Sequence, residues 1–291
     1  MVNVLVLGGN GYLGSKITRE LVFKGHNVVC TKRTNSKLFR LADTNDRITW
    51  IPATVESVEA IGRYVVFDFV LNMACNYGRS DKIYDNVIEA NIEFPLRVLN
   101  KVVENNTKNY LTIGTGLPDE LNMYSFSKKM LNEFGKFYSV KHNVNFICLT
   151  LEMLYGADEP ENRFLPSIVR KMLIGENVDT TIGTQHRDLI SVNDIINAIM
   201  IVINSKLSGY WDIPVGTGVA PSIAEVVDYI WEETGRRSVV NKGTIPMRNN
   251  EPDCIADTTI LSTLCEWNPT PWKKGIKRMI EDILESMNIA K

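Results

Sequence analysis

The chain has 291 residues, of which 44% are hydrophobic and 23% are charged, a composition typical of a globular protein that buries a sizeable core. Its 32 lysines and arginines are balanced by 34 aspartates and glutamates, so it does not have the strongly basic footprint of proteins that bind nucleic acid or anionic membranes. We therefore expect neither nucleic acid nor a membrane among its partners.

Two features of the sequence indicate a cytoplasmic protein. The first apolar stretch, residues 2–7, is too short for the core of a signal peptide or for a membrane span. The five cysteines are scattered without a C-x-x-C pair, which favours neither a disulfide framework nor a zinc site. We expect a reducing compartment and no bound metal.

The first half of the chain alternates between strand and helix patterns. A β-branched run over residues 2–7 ends at two glycines, and apolar residues at helical spacing follow over residues 12–23. The next predicted elements are strands at 27–31, 48–51 and 65–73, a long helix at about 81–104, a strand at 109–113, a helix at about 124–141 and a strand at 144–151. This alternation predicts an α/β fold with a doubly wound parallel sheet of the Rossmann type.

Beyond residue 156 the alternation weakens. Glycine, proline and charged residues occupy 156–163, a helix is predicted near 166–173, and Ser222 with Glu225 forms an S-x-x-E box that predicts a helix start. The C-terminal third is expected to form a smaller lobe.

Glycines stand at three-residue steps where the first predicted strand meets the first helix. In that setting they allow a tight turn, a close approach of backbone N–H groups to a pyrophosphate, and close packing of helix on strand. The sequence therefore predicts a dinucleotide site that includes Gly8, Gly11, Tyr12, Leu13 and Gly14. The alternative is a simple tight turn without a ligand.

Two cations close the second predicted strand, at the position where a dinucleotide fold selects its cofactor. An acidic residue there would hold the ribose 2′-hydroxyl of NAD, but the chain has Lys32 and Arg33. Two positive charges suit the 2′-phosphate of NADP, so the sequence favours NADP(H) over NAD. The alternative is a solvated basic pair at the start of a loop.

A tyrosine and a lysine, Tyr124 and Lys128, are four residues apart and so lie on one face of a predicted helix. A free phenol titrates near pH 10, so acid–base work near neutrality requires about 4 kcal/mol of differential stabilisation, part of which a nearby ammonium supplies. Thr115 follows the preceding strand and places a hydroxyl at the carboxyl edge of the sheet. We predict that these three residues are catalytic.

These motifs resemble the extended short-chain dehydrogenases/reductases, nicotinamide-dependent enzymes that act on nucleotide-activated sugars, and the resemblance covers nearly the whole chain. Beyond the glycine turn and the catalytic residues, it lies in residues 72–75, Asn91, 154–156, 182–188 and 192–195. The resemblance implies that Met73, Ala74, Cys75 and Asn91 also contact the cofactor, together with Tyr124 and Lys128.

Within this family the chain is similar to the CDP-abequose and CDP-paratose synthases, which reduce a CDP-3,6-dideoxy-4-hexulose with NADPH. The similarity lies in residues 74–79, 161–166, 185–188 and 248–251. It implies an oxidoreductase of deoxysugar biosynthesis that reduces a C4 ketone, in which Tyr124 donates a proton and Thr115 stabilises the oxygen.

The resemblance also implies where the nucleotide sugar binds. Bidentate arginine is the side chain best matched to a diphosphate, and two arginines match the diphosphate positions of the family. The implied contacts are Tyr77 and Arg79 at the sugar, Asn162 and Phe164 near the nucleotide, Arg187 and Arg248 at the diphosphate, and Glu251 at the ribose. For each charged residue the alternative is a surface ion pair.

The sequence departs from the family at three places. Only nine positions separate Thr115 from Tyr124, where most members have a longer substrate-contacting insertion. Residues 53 and 54 replace an acidic residue that holds adenine, and Thr150 stands where arginine is frequent. These changes weaken the transfer of roles at those positions and leave the catalytic pair untouched.

Other functions remain open on the residues alone. A NAD-dependent 4-epimerase would use the same residues twice and retain tightly bound NAD, and a non-catalytic NADP sensor would keep the fold without turnover. Dehydratases of the family add an acidic pair beside the catalytic hydroxyl. Asp119 and Glu120 lie nearby, but in a loop led by proline they are interpreted as solvated turn residues.

The resemblance further implies the domain organisation and the assembly. We expect an NADP-binding domain over residues 1–155 and about 188–214, and a nucleotide-sugar lobe over about 156–187 and 215–291. The predicted helices at about 81–104 and 124–141 match those that pair into a four-helix dimer interface in this family, so a homodimer is expected.

Overall fold

The computed structural model describes residues 1–78, 83–248 and 251–289. The strands are β1 (Asn3–Leu7), β2 (Asn27–Lys32), β3 (Ile48–Pro52), β4 (Phe69–Asn72), β5 (Asn109–Thr115), β6 (Asn145–Leu151), β7 (Met153–Tyr155), β8 (Val178–Thr180), β9 (Leu189–Ser191), β10 (Tyr210–Val215) and β11 (Val240–Lys242). The α-helices are α1 (Tyr12–Phe23), α2 (Val55–Gly62), α3 (Ile83–Ile88), α4 (Phe94–Glu104), α5 (Met123–His142), α6 (Phe164–Leu173), α7 (Val192–Asn204), α8 (Ile223–Glu233), α9 (Thr259–Leu264) and α10 (Trp272–Ile289).

Seven strands form one sheet in the order β10-β6-β5-β4-β1-β2-β3. β1 pairs in parallel with both β2 and β4, and its residue Val4 lies opposite Val28 on one side and Phe69 on the other. A central strand of a doubly wound sheet is covered on both faces, which explains why Val4 to Leu7 are all fully buried. The order and the parallel pairing confirm the predicted Rossmann-type α/β fold.

Two predicted boundaries differ from the observed ones for physical reasons. The strand predicted at 65–73 is confined to β4, because Val66 is 59% exposed and stands outside the sheet. The long helix predicted at about 81–104 is described from residue 83 and contains a π turn, Glu89–Glu93, between α3 and α4. A π turn inserts an extra residue into the helix, and apolar spacing alone does not reveal it.

By their internal contacts the residues form two compact units. The first comprises Met1–Thr150 and Ile196–Ile213, and the second comprises Leu151–Ile195 and Pro214–Lys291. The assignment of cofactor to one and of nucleotide sugar to the other stays a prediction. Every helix in the described part of the chain is too short or too polar to cross a membrane.

Each unit has its own hydrophobic core. In the first, buried residues of the sheet such as Leu5 and Phe146 pack with Leu99 of α4. In the second, α6, α8 and α10 pack together through residues that include Val226 and Ile280. The S-x-x-E box predicted at Ser222 caps α8, as the sequence indicated.

Candidate active site

The turn after β1 has the geometry that a dinucleotide pyrophosphate requires. Gly8 has a φ of +74°, a conformation that side chains disfavour, and its N–H donates to Oγ1 of Thr31 at 3.1 Å. A Cβ on Gly14 would lie 2.2 Å from the carbonyl oxygen of Gly8, so the turn admits only glycine at that position. Among the described residues, no side chain caps α1 at Gly11 and no acidic residue lies in its first turn. The backbone N–H groups of this helix end can therefore face an anion.

The loop that follows β4 contacts this glycine turn. The N–H of Met73 donates to the carbonyl oxygen of Leu7 at 2.9 Å, and a Cβ on Gly8 would lie 2.9 Å from Cα of Ala74. Met73 and Ala74 are half-buried, whereas Cys75 is exposed. Two groups of residues predicted to bind the cofactor therefore lie side by side.

The same loop is tied to α5 through Asn91 in the π turn. Oδ1 of this fully buried asparagine accepts the N–H of Asn76 at 2.7 Å, and its Nδ2 donates to the carbonyl oxygen of Asn76 at 2.8 Å. Nδ2 also donates to Oγ of Ser127 at 2.9 Å. One loop thus connects the glycine turn with the helix that carries Tyr124 and Lys128. The predicted contact of Asn91 with the cofactor stays a prediction.

Tyr124 and Lys128 lie one turn apart near the start of α5, as predicted. Reciprocal bonds fix this helix end, because Asn122 Oδ1 accepts the Ser125 N–H at 2.9 Å and the Ser125 hydroxyl accepts the Asn122 N–H at 3.3 Å. Lys128 is 4% exposed, and within the described residues its ammonium makes no hydrogen bond or salt bridge. Its side chain is thus packed into the protein while its charge stays available to a ligand that supplies acceptors.

A cavity of about 520 Å³ opens at Tyr124. Its lining consists of Tyr77, Gly78, Tyr84, Asp119, Glu120, Asn122, Met123, Tyr124 and Phe126. The ring centroids of Tyr77 and Tyr124 are 4.9 Å apart, with the planes inclined by 36°. Tyr77, predicted to meet the sugar, therefore shares a cavity with the predicted catalytic phenol.

Asp119 and Glu120, interpreted from the sequence as solvated turn residues, are half-buried and exposed, respectively. They form a short 3₁₀ turn with Leu121 and contribute to the wall of the cavity at Tyr124. The signal that could have placed them is their position in the chain, because the segment leading into a catalytic helix necessarily lies beside its first turn.

Thr115 ends β5 and is half-buried. Its Oγ1 accepts the N–H of Leu117 at 3.3 Å, which leaves the hydroxyl hydrogen as a donor. It is not among the described residues that line the cavity at Tyr124. Its catalytic role stays a prediction.

Lys32 and Arg33 stand at the carboxyl end of β2. Nζ of Lys32 lies 6.0 Å from the centroid of the Trp50 ring, and Arg33 is exposed. Neither cation forms a salt bridge within the described residues. A phosphate would therefore meet two positive charges there without having to displace a carboxylate.

In the second unit, two residues predicted to hold the nucleotide sugar bind each other. Arg187 is 6% exposed, and its Nη2 donates to Oε1 of Glu251 at 2.5 Å. Its Nη1 donates to the carbonyl oxygens of His186 at 2.8 Å and Pro252 at 2.6 Å. The guanidinium is therefore buried and fixed in orientation, a pairing that spans 64 residues and has no sequence signal.

The remaining predicted contacts of the nucleotide sugar are more exposed. Phe164 is the first residue of α6 and is 37% exposed, and Asn162 and Arg248 are exposed. Arg79 lies outside the described residues. Their roles stay predictions.

The sequence did not reveal Glu152, which lies between β6 and β7. Burial and the neighbouring charge of Asp188 raise the pKa of its carboxyl to about 7, and the charge of Arg187 partly opposes them. Asp188 itself is fully buried and accepts the N–H and the hydroxyl of Thr217 at 2.8 Å and 2.6 Å. Glu152 can therefore hold a proton near neutrality.

The family profile described as the NAD dependent epimerase/dehydratase family matches residues 4–213, which is more than half of the chain. The chain belongs to this family. The resemblance to the extended short-chain dehydrogenases/reductases and the expectation of an NAD(P)-dependent enzyme are therefore confirmed.

Similar proteins extend over almost the whole chain. A CDP-abequose synthase from Salmonella muenchen is 26% identical over 287 residues, covering 95% of this chain and 96% of the synthase. A UDP-glucose 4-epimerase from Lactobacillus helveticus is 24% identical and covers 92% of each chain.

Solved structures share the fold. The UDP-glucose 4-epimerase of Thermotoga maritima, crystallised with UDP-glucose, has a TM-score of 0.87 and 19% identity over 98% of this chain and 99% of its own. The UDP-glucose 4-epimerase of Thermus thermophilus in complex with NAD has a TM-score of 0.83 and 18% identity over 97% of this chain and 99% of its own.

Proposed function

We propose that this protein reduces the C4 ketone of a CDP-linked deoxyhexulose with NADPH, as a step of deoxysugar biosynthesis. One observation carries the proposal. The loop after β4 touches the glycine turn at Ala74 and, through Asn76 and Asn91, is bonded to the helix of Tyr124 and Lys128. A nicotinamide cofactor seated on the turn would therefore extend towards a phenol and a buried ammonium. The similarity to a CDP-abequose synthase supports the choice of substrate.

In this mechanism the protein supplies the proton and the orientation. Bound NADPH provides the hydride. The phenol of Tyr124 donates its proton to the alkoxide that develops at O4, and the ammonium of Lys128 stabilises the phenolate that remains. Thr115 donates a hydrogen bond to the same oxygen, which favours the charge that forms in the transition state.

Several further residues are proposed to bind the cofactor or the nucleotide sugar. Lys32 and Arg33 bind the 2′-phosphate of NADP, and Tyr77 meets the sugar. In the second unit the proposed contacts are Arg187 and Arg248 at the diphosphate, Glu251 at the ribose, and Asn162 and Phe164 near the nucleotide. The Arg187 guanidinium is fixed in orientation, and a diphosphate there would share it with Glu251 and two backbone carbonyls.

The assembly is proposed to be a cytoplasmic homodimer. Phe134, Phe137 and Val140 of α5 are 41%, 60% and 84% exposed, an unusual surface for aromatic and aliphatic side chains of one helix. The five cysteines are free thiols, which agrees with a reducing compartment.

The second candidate is a NAD-dependent nucleotide-sugar 4-epimerase. It is supported by the relatives and the solved neighbours that are UDP-glucose 4-epimerases, one of them in complex with NAD. An epimerase returns its hydride to the substrate and consumes no cofactor, whereas a reductase oxidises one NADPH for each product.

The test is a panel of CDP-, UDP-, GDP- and dTDP-sugars, including a CDP-4-keto-3,6-dideoxyhexose, assayed with NADPH and with NADH at 340 nm. Stoichiometric NADPH oxidation with the CDP-ketosugar supports the reductase. Interconversion of UDP-glucose and UDP-galactose without loss of absorbance supports the epimerase instead. Cofactor binding without turnover of any sugar would favour the NADP sensor.

The variant Tyr124→Phe separates catalysis from binding. It is expected to lower turnover at least about a hundredfold, because it removes the proposed acid, and to leave NADPH affinity within about threefold of the wild type. Undiminished turnover would remove Tyr124 from the mechanism.

A further inference from the structure

The hydroxyl of Ser127 lies at a branch of buried hydrogen bonds beside the proposed catalytic pair. Ser127 is fully buried, and it stands between Tyr124 and Lys128 in the sequence of α5. Its Oγ donates to the carbonyl oxygen of Tyr124 at 2.7 Å and accepts from Nδ2 of Asn91 at 2.9 Å. In an α-helix that carbonyl also accepts the N–H four residues on, so one acceptor serves Ser127 and Lys128 together.

The other arm of the network reaches the loop that carries Tyr77. Asn91 binds both the N–H and the carbonyl oxygen of Asn76, and Oδ1 of Asn76 accepts the N–H of Gly78 at 2.9 Å. Tyr77 therefore lies between Asn76, whose backbone bonds the Asn91 side chain, and Gly78, whose N–H bonds the Asn76 side chain. Its ring lies 4.9 Å from that of Tyr124, on the opposite arm of the same network.

Asn91, which serves both arms, lies in the π turn between α3 and α4. The turn spans Glu89–Glu93, and Asn91 at its centre is fully buried. Both amide hydrogens are used, one towards Asn76 and one towards Ser127. A buried carboxamide with its donors satisfied is rigid and costly to disturb, so it fixes the separation of the two segments.

We propose that Ser127 is a positioning residue: through Asn91 it fixes the first turn of α5 against the loop of Tyr77, and so sets the place of the Tyr124 phenol at the substrate carbonyl. A serine inside a helix ordinarily competes with the backbone for hydrogen bonds and brings no packing advantage. Among the described residues, its hydroxyl makes the one side-chain hydrogen bond between Asn91 and α5. The inference rests on the proposed role of Tyr124.

The experiment compares Ser127→Ala with Ser139→Ala, a second serine of α5 that is 6% exposed and lies three turns away. Steady-state reduction is measured with NADPH and the nucleotide sugar that turns over in the panel, NADPH binding by fluorescence titration, and folding by thermal unfolding. S127A is expected to lower kcat about tenfold, with KM and NADPH affinity within about twofold, because only the proton donor is misplaced. S139A should keep kcat within about twofold, and S127T, which retains the hydroxyl, should recover most of the loss.

If the role of Ser127 were purely structural, S127A would lower the unfolding temperature and leave kcat within about twofold of the wild type. The proposal is overturned when S127A has the kcat of S139A, or when NADPH affinity falls in step with kcat. Should S127A not fold, S127C, which fills the same space with a weak donor, gives the same decision. If Y124F retains turnover, the proposed function fails; if Y124F is inactive and S127A is fully active, only this inference fails.

Discussion

Lys32 and Arg33 occupy the position that is proposed to meet the 2′-phosphate of NADP. Lys32 extends over the Trp50 ring, so its stem is partly ordered, and Arg33 projects into solvent. Neither cation is neutralised by a described carboxylate. Their effect on binding should therefore depend on whether the cofactor has a phosphate at this position.

The double variant K32A/R33A tests this selection. It is expected to weaken NADPH binding about ten- to a hundredfold and to leave NADH binding within about threefold, since a charge-assisted bond is worth about 1.5–3 kcal/mol. Fluorescence titration with NADPH and with NADH gives the two dissociation constants for the variant and for the wild type. K108A removes an exposed lysine that immediately precedes β5, and it should change neither the NADPH affinity nor the NADH affinity. Equal losses for NADPH and NADH would show that the pair does not contact the phosphate.

Glu152 predicts a pH dependence of stability. Its folded-state pKa of about 7 exceeds the ordinary value of 4.5, so the folded state binds this proton more tightly than the unfolded chain. The contribution of Glu152 to the free energy of unfolding is therefore fully present below about pH 4.5, and it is lost as the pH rises through about 7. E152Q, which keeps the shape without the charge, should be more stable than the wild type by about 1–2 kcal/mol at pH 8, less than the shift implies because the side chain is partly exposed.

Urea unfolding at pH 4.5 and at pH 8 measures this difference, which should vanish at the lower pH. E285Q provides the control, because Glu285 is an exposed carboxylate of α10. A pH-independent difference between E152Q and the wild type would mean that Glu152 carries its charge in the folded state across the whole range.

The residues of the proposed site fall into two groups, according to how far apart in the sequence the interacting residues are. Tyr124 and Lys128 were predictable because their spacing alone places them on one helix face. The bonds of Asn91 to Ser127 and of Arg187 to Glu251 join residues 36 and 64 positions apart. Such pairs depend on how distant segments approach, and no local pattern in the sequence contains that information.

At the scale of the element, α5 packs closely against the sheet because Gly135 has no side chain. A Cβ on Gly135 would lie 2.1 Å from the ring of Phe146, which stacks on Tyr110 with centroids 5.4 Å apart. Both rings are fully buried in the first unit's core. Glycine within a helix normally lowers stability, so its presence here reflects the close approach of helix and strand.

G135A should therefore be destabilised despite its better helix propensity. Alanine gains about 1 kcal/mol as a helix former, but the displaced ring costs about 1–3 kcal/mol, so a net loss of up to about 2 kcal/mol is expected. Chemical denaturation measures it, with S139A as the control for substitution on the same helix. A stabilised G135A would show that the Phe146 ring moves aside without strain.

The elements also show which parts of the fold a sequence pattern can predict. Strands of the large sheet appear as apolar runs because they are buried on both faces. In the second unit, β7, β8, β9 and β11 have three residues each, too few for any periodicity to register. The sequence pattern did not predict the π turn, because the apolar spacing of the helix continues on both sides of it.

At the scale of the whole molecule, α5 presents several large apolar side chains that the described part of the chain leaves exposed. Phe126, Phe134, Phe137 and Val140 lie within about 120° of the helix circumference, given 100° for each residue, in an arc that also holds the charged residues Glu133 and Lys141. All four are at least 41% exposed. Removing such a face from water is favourable at roughly 25 cal/mol for each square ångström buried, and a second copy offers an identical face to cover it.

The variant F137E tests this dimer. A glutamate at the centre of the face would have to be buried without a partner in each protomer, so the dissociation constant should rise at least about a hundredfold. Sedimentation velocity over a concentration series should show dimers for the wild type and monomers for F137E. V219E supplies the matched control, because Val219 and Phe137 are both 60% exposed and Val219 lies outside this face. A wild type that sediments as a monomer, or an F137E protein that dimerises as tightly as V219E, would place the contact elsewhere or remove it.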